Sequence, residues 1–152
     1  MARHKAELTC FDVADYFLSL VDEESGDSIS NLKLQKLVYY AQGFHLAIFD
    51  APLFSEVIEA WILGPVIPEL YNKYKEYRST PIPRPDNIDF SIYEEPEIEL
   101  LNDVWNIYGQ YSAWRLSELA HAEPPWKMAC DTGGVITHQS LQAYFKTQIQ
   151  ES

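Results

Sequence analysis

The segment from Ser30 to Phe49 reads SNLKLQKLVYYAQGFHLAIF, and it determines the fold that the sequence predicts. Ser30 is a good N-cap residue and no proline follows it, so the segment predicts a helix that ends near Phe49. At 100° per residue, six side chains fall on one largely apolar face: Leu34, Leu37, Val38, Ala41, His45 and Ile48. Tyr39 and Leu46 lie on the other side, so only narrow polar strips remain. We therefore expect this helix to be central, with neighbours on several sides.

The composition limits the class of protein. The chain has 152 residues, which fits one domain, and its hydrophobic content of 47% is too high for wholesale disorder. The net charge is −12, and the segment from Asp86 to Asp103 contains no basic residue. Because binding along a phosphate backbone needs an excess of Lys and Arg, nucleic acid is an unlikely partner.

The rest of the chain predicts further helices that are joined by turns and loops. Thr9, Ser112 and Thr137 can each cap a helix, as Ser30 does. The helices are predicted near residues 9–21, 30–49, 69–78, 97–108, 113–121 and 138–150. Pro124-Pro125 is expected to end the fifth of them. Residues 56–63 favour a short extended segment, and the proline-rich, acidic loop 79–96 leaves room for a short strand near 86–93.

The predicted fold is therefore mainly α: a single compact helical domain of about six helices that covers residues 1–152, with its core at about residues 9–149. The longest stretch of the central segment without a charged residue runs from Leu37 to Phe49, which is too short to span a bilayer. The first residues are polar and show no apolar signal region. We expect a cytoplasmic protein that does not enter a membrane.

Patterns typical of enzymes are scarce. The glycines are scattered, without a phosphate-binding loop, so no cofactor and no catalytic residue are predicted. His121-x-Glu123 followed by Cys130 resembles part of a zinc deaminase motif, but the Pro-Cys-x-x-Cys half of that motif is absent, which leaves one cysteine for two ligand positions. A small hydrolase or metal site around these three residues stays a low alternative, since a zinc site needs at least three protein ligands.

Aromatic and basic residues alternate near the middle of the chain, where Tyr71, Tyr74 and Tyr77 accompany Lys73, Lys75 and Arg78. Such a pattern is found in proteins that bind single-stranded nucleic acid. It is more typical of an ordinary amphipathic helix with its charges in water. A DNA-binding autoregulator is thus a third alternative, which the net charge disfavours.

Three blocks of sequence together are similar to a known family. They run from Leu32 to Ala47, from Pro52 to Tyr71 and from Ser112 to Ala129, in the family's order. They resemble the Panacea domain, which includes the SocA-like antitoxins and the phage-associated GepA-type proteins. The residues that carry the resemblance, and that are expected to maintain its scaffold, are Leu34, Gln35, Leu37, Tyr39, Gln42, Gly43, His45, Trp61, Gly64, Pro65, His121, Glu123, Pro125 and Trp126.

The resemblance implies an antitoxin of a toxin–antitoxin system, a non-enzymatic protein that neutralises a cognate toxin by direct binding. The toxin is expected to be encoded by a neighbouring gene. One branch of the family implies an alternative, a proteolytic adaptor that delivers its toxin to an AAA+ protease. The sequence departs from the family at Ile62-Leu63, where a more polar pair is usual, and at Arg78, where a glycine is frequent.

Two surfaces are predicted to bind the partner. The first combines a strip of the central helix, formed by Lys33, Lys36 and Tyr40, with the helix that carries Tyr71, Tyr74, Lys75 and Arg78. The second is the acidic segment 86–103, which suits a cationic partner.

Overall fold

The computed structural model describes residues 7–149, and the last residue of the final predicted helix, Gln150, lies outside them. Seven α-helices are found in this part of the chain: α1 (Cys10–Ser19), α2 (Asn31–Phe49), α3 (Pro68–Tyr74), α4 (Glu95–Tyr108), α5 (Ala113–His121), α6 (Pro124–Asp131) and α7 (His138–Gln148). Three strands accompany them: β1 (Ile58–Trp61), β2 (Gly64–Val66) and β3 (Val135–Ile136). The mainly α prediction is confirmed.

Helix α2 is the centre of the fold, as its sequence predicts. It packs against α7 most extensively, and also against α1, α3, α4, α5 and strand β2. Leu34, Leu37 and Val38 are completely buried, and so are Tyr39 and Ala41 from the rest of its circumference. The apolar residues on several faces of α2 thus contribute to one continuous core, in which Phe17 of α1 and Phe145 of α7 are also completely buried.

The predicted N-caps are confirmed. Ser30, Ser112 and Thr137 each accept a hydrogen bond from a backbone N–H in the first turn of their helices. Thr9 forms a capping box with Asp12, in which each side chain bonds to the backbone of the other residue. These caps satisfy N–H groups that have no partner inside the helix.

The extended segment predicted at 56–63 is the first strand of a small antiparallel sheet. Strand β1 lies in the middle, with β2 and β3 on either side. Trp61 pairs with Gly64, so β1 and β2 form a hairpin whose turn consists of Ile62 and Leu63. Strand β3, which the sequence did not predict, brings the segment before α7 against β1.

One local prediction is wrong, and the structure refines two others. No strand forms near 86–93, because Asp89 accepts a hydrogen bond from the Ser91 N–H and starts a 3₁₀ turn at Phe90–Ile92. Pro124-Pro125 begins helix α6 instead of only ending α5, since proline fits the first turn of a helix. The helix expected at 69–78 is α3, which gives way to a 3₁₀ turn at Lys75–Tyr77.

None of the helices described between residues 7 and 149 is both long and apolar enough to cross a membrane.

Candidate partner-binding surface

The turn of the β1–β2 hairpin displays large apolar side chains to solvent. Ile62 is 86% exposed, Leu63 is 46% exposed and Trp61 is 36% exposed. Hairpin turns of two residues usually contain glycine, asparagine or aspartate, because these residues adopt turn conformations easily and tolerate water. An Ile-Leu pair at this position is therefore unusual, since Ile62 gains little from burial within this chain and Leu63 is only about half buried.

The backbone of the turn is held by side chains from α5 and α6. Trp126 Nε1 donates a hydrogen bond to the Trp61 carbonyl across 2.9 Å, and Ser117 Oγ donates to the Leu63 carbonyl across 2.8 Å. Between them, His121 Nε2 bonds to the Ile62 carbonyl across 2.6 Å. Because a carbonyl oxygen only accepts, His121 carries a proton on Nε2. We call Ser117, His121 and Trp126 the carbonyl clamp.

The carbonyl clamp is itself rigid. The rings of His121 and Trp126 pack together with centroids 4.3 Å apart. Ser117 is buried and lies one helical turn before His121 on α5. Three consecutive carbonyl groups of the turn thus have hydrogen-bond partners, which restrain the backbone that carries the apolar side chains.

A shallow groove of about 480 Å³ lies beside the turn. Its walls include Leu32 of α2 and Tyr71 of α3, and the Tyr71 ring contacts Trp61 edge-on at 5.1 Å. All of its lining residues are apolar or aromatic. We call Trp61, Ile62, Leu63 and Tyr71, with this groove, the tip surface.

The other end of the turn rests on a buried lysine. Lys36 is fully buried, and its Nζ donates a hydrogen bond to the Pro65 carbonyl across 3.2 Å. Burial lowers the pKa of Lys36 to about 7, because the charged ammonium loses its hydration. Gly64 has φ 111°, and a Cβ there would lie 2.8 Å from Lys36 Cε. Gly64 is therefore required both by its backbone angle and by the lysine beneath it.

The two glutamines of α2 hold the chain on either side of the hairpin. Gln42 accepts a hydrogen bond from the Leu53 N–H and donates one to the Phe54 carbonyl, each across 2.7 Å. Gln35 accepts from the Ile67 N–H across 2.9 Å. Both side chains are buried, and they supply hydrogen-bond partners to loop backbone groups that would otherwise have none.

A buried carboxylate links α2 to the start of α6. Glu123 accepts hydrogen bonds from the hydroxyls of Tyr39 and Tyr40, across 2.8 and 2.9 Å. The Tyr40 ring stacks on Tyr108 at 4.0 Å. Burial raises the pKa of Glu123 to about 7, although the two tyrosine hydrogen bonds act in the opposite direction. Glu123 directly precedes α6, so this network positions the helix that carries Trp126.

A known protein family matches most of the residues described above. The family described as "Antitoxin SocA-like, Panacea domain" matches residues 34–127, which is more than half of the chain. This chain belongs to the SocA-like Panacea domain family. The resemblance predicted from the sequence is confirmed.

One relative of this Panacea domain is a curated protein. Over 43 residues the chain is 51% identical to Antitoxin SocA from Caulobacter vibrioides (strain NA1000 / CB15N). The match covers 28% of this chain and 23% of the relative, so the chain spans about a quarter of that protein. No solved structure matches the chain.

The family-motif residues of this Panacea domain are mostly structural. Leu34, Leu37 and Tyr39 lie in the core, as predicted. Gly43 leaves room for the Phe145 ring, and His45 Nδ1 bonds to the Ala51 carbonyl across 2.6 Å.

Most of the predicted docking strip on α2 is buried. Lys36 and Tyr40 are fully buried, so neither reaches a partner in this structure. Lys33 is half-buried, and its Nζ donates a hydrogen bond to the Gly109 carbonyl across 2.7 Å. Lys36 bonds to Pro65 and Tyr40 bonds to Glu123. Both partners lie far along the chain, so the pattern of a single helix could not indicate them.

The predicted docking residues around α3 separate into two groups. Tyr74 is buried, whereas Tyr71 is partly exposed and belongs to the tip surface. Lys75 and Arg78 are exposed. Their role in partner binding stays a prediction, as does that of the acidic segment 86–103.

The three residues of the metal-site alternative do not converge. Glu123 bonds to the tyrosines of α2, His121 bonds to the Ile62 carbonyl, and Cys130 lies exposed on α6. Within residues 7–149, no group of three or more His, Cys, Asp and Glu side chains is arranged to hold a metal ion. This low alternative is therefore not supported by the geometry.

The sequence predicts only one residue of the tip surface, Tyr71, as a partner contact. The family resemblance assigns Trp61 to the scaffold and marks Ile62-Leu63 only as a departure from the family. The signal was nevertheless present, since two large apolar residues stand between a β-like segment and Gly64-Pro65, where turn residues are expected.

Proposed function

We propose that this protein is a non-enzymatic antitoxin that neutralises a cognate toxin by direct binding, with the toxin seated on the tip surface. Membership in the SocA-like family supports the antitoxin role. The observation that carries the choice of surface is the carbonyl clamp, which holds three consecutive backbone groups beneath exposed apolar side chains. A cognate toxin encoded by a neighbouring gene is the proposed partner.

A rigid apolar surface is suited to binding. The exposed side chains of the turn and the adjoining groove form one continuous apolar area instead of scattered residues. Because the clamp fixes the backbone before binding, little conformational entropy is lost when a partner associates. Trp61 and Tyr71 are residue types that contribute strongly to interfaces.

The shape of the tip surface indicates the shape of its partner. A two-residue turn projects from the sheet, so its complement is a concave apolar pocket. The groove beside the turn would receive an apolar ridge of the same partner. A toxin that combines an apolar pocket for the turn with a ridge for the groove is therefore the proposed partner.

The net charge of the chain also favours a protein partner over a nucleic acid. Glu59 accepts a hydrogen bond from Trp61 Nε1 across 2.9 Å, so a carboxylate lies at one edge of the turn. Together with the net charge of −12, this carboxylate would repel the phosphate backbone of a nucleic acid. A gel shift on the gene's own promoter region tests the DNA-binding alternative.

Co-expression with the product of the neighbouring open reading frame tests the proposal. The account predicts that the wild-type protein restores growth to cells that express the toxin, and that the two proteins purify as a complex. Failure to restore growth, together with no complex, would contradict neutralisation. The same strains report on the adaptor alternative, because delivery to an AAA+ protease would shorten the half-life of the toxin only where the protease is present.

A further inference from the structure

The 3₁₀ turn that follows α3 leads into a strained turn that displays Arg78. In the segment from Tyr77 to Thr80, the Thr80 N–H donates a hydrogen bond to the Tyr77 carbonyl across 3.0 Å. Arg78 has φ 56° and ψ −121°, which are the angles of the first central residue of a type II′ turn. Glycine dominates this position, because a Cβ is strained when φ is positive.

The surrounding structure holds Arg78 in this conformation. The Arg78 N–H donates to the Lys75 carbonyl across 3.1 Å, and the Ile82 N–H donates to the Ile29 carbonyl across 2.9 Å just after the turn. A non-glycine residue in such a region lowers stability, and retained strain tends to occur at functional sites. The question is therefore what the arginine side chain supplies that glycine would not.

Arg78 offers an exposed guanidinium that is not engaged within the described chain. Arg115 pairs with Glu118, and Lys146 pairs with Asp50. Arg78, in contrast, is exposed and has no ion pair with any carboxylate among residues 7–149. Lys75, three residues earlier in the chain, is also exposed and adds positive charge.

We propose that Arg78, with Lys75, binds a carboxylate group of the protein that occupies the tip surface. This inference rests on the proposed function. A planar guanidinium matches a carboxylate through two parallel hydrogen bonds, and the strained turn fixes the direction in which the side chain leaves the backbone. The partner is thus expected to carry an aspartate or glutamate next to its apolar pocket.

The position of α3 connects the two contacts. Tyr71 contacts Trp61 of the tip surface, and Lys75 follows Tyr71 by four residues, about one helical turn. A partner that covers Tyr71 and continues past the end of α3 would meet Lys75 and then Arg78. One of the nearby tyrosines, Tyr74, is buried and offers no free face for stacking bases, which reduces the match to a nucleic-acid surface.

The variant Arg78→Gly is expected to raise the stability of the protein and to weaken its binding to the toxin. Relief of strain is expected to raise the melting temperature by about 3 °C. Loss of the guanidinium is expected to weaken binding to the purified product of the neighbouring toxin gene by about tenfold. Arg78→Lys keeps the charge but loses the planar fork, so its affinity should be intermediate.

The matched control is Arg84→Gly, which removes an exposed arginine that lacks a positive φ. It should neither raise the melting temperature nor weaken binding. Unchanged affinity of Arg78→Gly would overturn the inference while leaving the proposed function intact. A melting temperature that does not rise would remove the premise of strain, and a wild-type protein that fails to bind would contradict both proposals.

Discussion

His121 Nε2 donates a hydrogen bond to the carbonyl of Ile62 across 2.6 Å, although the two residues are 59 positions apart in the chain. This hydrogen bond lies near the surface, and it holds the backbone beneath a side chain that is 86% exposed. The family-motif histidine thus holds in place a residue at which the sequence departs from the family pattern.

Removing one bond of the carbonyl clamp is expected to loosen the turn. Trp126→Phe keeps an aromatic ring against His121 but removes the Nε1–H that bonds to the Trp61 carbonyl. The free energy of unfolding should fall by about 1 kcal/mol. Hydrogen exchange measured by mass spectrometry should become faster at residues 61–64.

Trp114→Phe is the matched control for this variant. Trp114 is 66% exposed on α5, and its side chain bonds to no carbonyl of the turn. Its exchange pattern at residues 61–64 should match the wild type. If both variants left that exchange unchanged, the clamp would have no role in holding the turn.

A side chain at Gly64 is expected to destabilise the hairpin for two separate reasons. Gly64→Ala places a Cβ at φ 111° and 2.8 Å from Lys36 Cε, so the backbone or the lysine must move. The free energy of unfolding should fall by about 3 kcal/mol in a urea titration.

Gly133→Ala separates the two causes. Gly133 has φ 105°, but a Cβ there would meet nothing within 4 Å. Its loss should be about 1 kcal/mol, which reports backbone strain alone. Equal losses at the two positions would show that the contact with Lys36 contributes nothing.

Glu123 is expected to make the protein less stable as the pH rises from 4.5 to 7. Its pKa is raised from 4.5 to about 7 in the folded state, so the folded protein binds the proton more tightly than the unfolded chain. This contribution is fully present below pH 4.5 and is lost as the pH rises through about 7, which amounts to about 3 kcal/mol. Glu123→Gln should remove this part of the pH dependence in urea titrations, whereas the exposed control Glu118→Gln should retain it.

Lys36 is expected to act in the opposite direction at higher pH. Its pKa is lowered from 10.5 to about 7, so above pH 7 the unfolded chain binds more protons than the folded protein. Stability should therefore rise by about 2 kcal/mol between pH 7 and pH 9. Lys36→Met should abolish this rise, and the exposed control Lys127→Met should not. A wild-type profile that is flat from pH 7 to 9 would show that Lys36 is not desolvated.

The local features of the fold were predictable because they depend on neighbouring residues. Ser30 and Thr9 cap helices through contacts within one turn, and the apolar girth of α2 follows from its own sequence. The start of α6 at Pro124 was missed, since proline is compatible both with ending one helix and with starting the next.

The candidate surface was not predictable in the same way. The burial of Lys36 and Tyr40 depends on Pro65 and Glu123, which meet α2 only in the folded chain. A helix that is apolar on most sides does not indicate which of its few polar residues are covered. Likewise, the exposure of Ile62 depends on α5 and α6, which bind the backbone of the turn but leave its side chain uncovered.

The central claim is that the tip surface binds the toxin, and the dissociation constant of the complex for Ile62→Ser tests it most directly. Because Ile62 is 86% exposed, this change should alter the free energy of unfolding by less than about 0.5 kcal/mol. The matched control is Val57→Ser, which removes a half-exposed apolar side chain just before β1, at the opposite end of the hairpin. The account predicts that Ile62→Ser weakens binding of the purified toxin by about tenfold or more, while Val57→Ser binds like the wild type. Equal dissociation constants for the wild type and Ile62→Ser would contradict it.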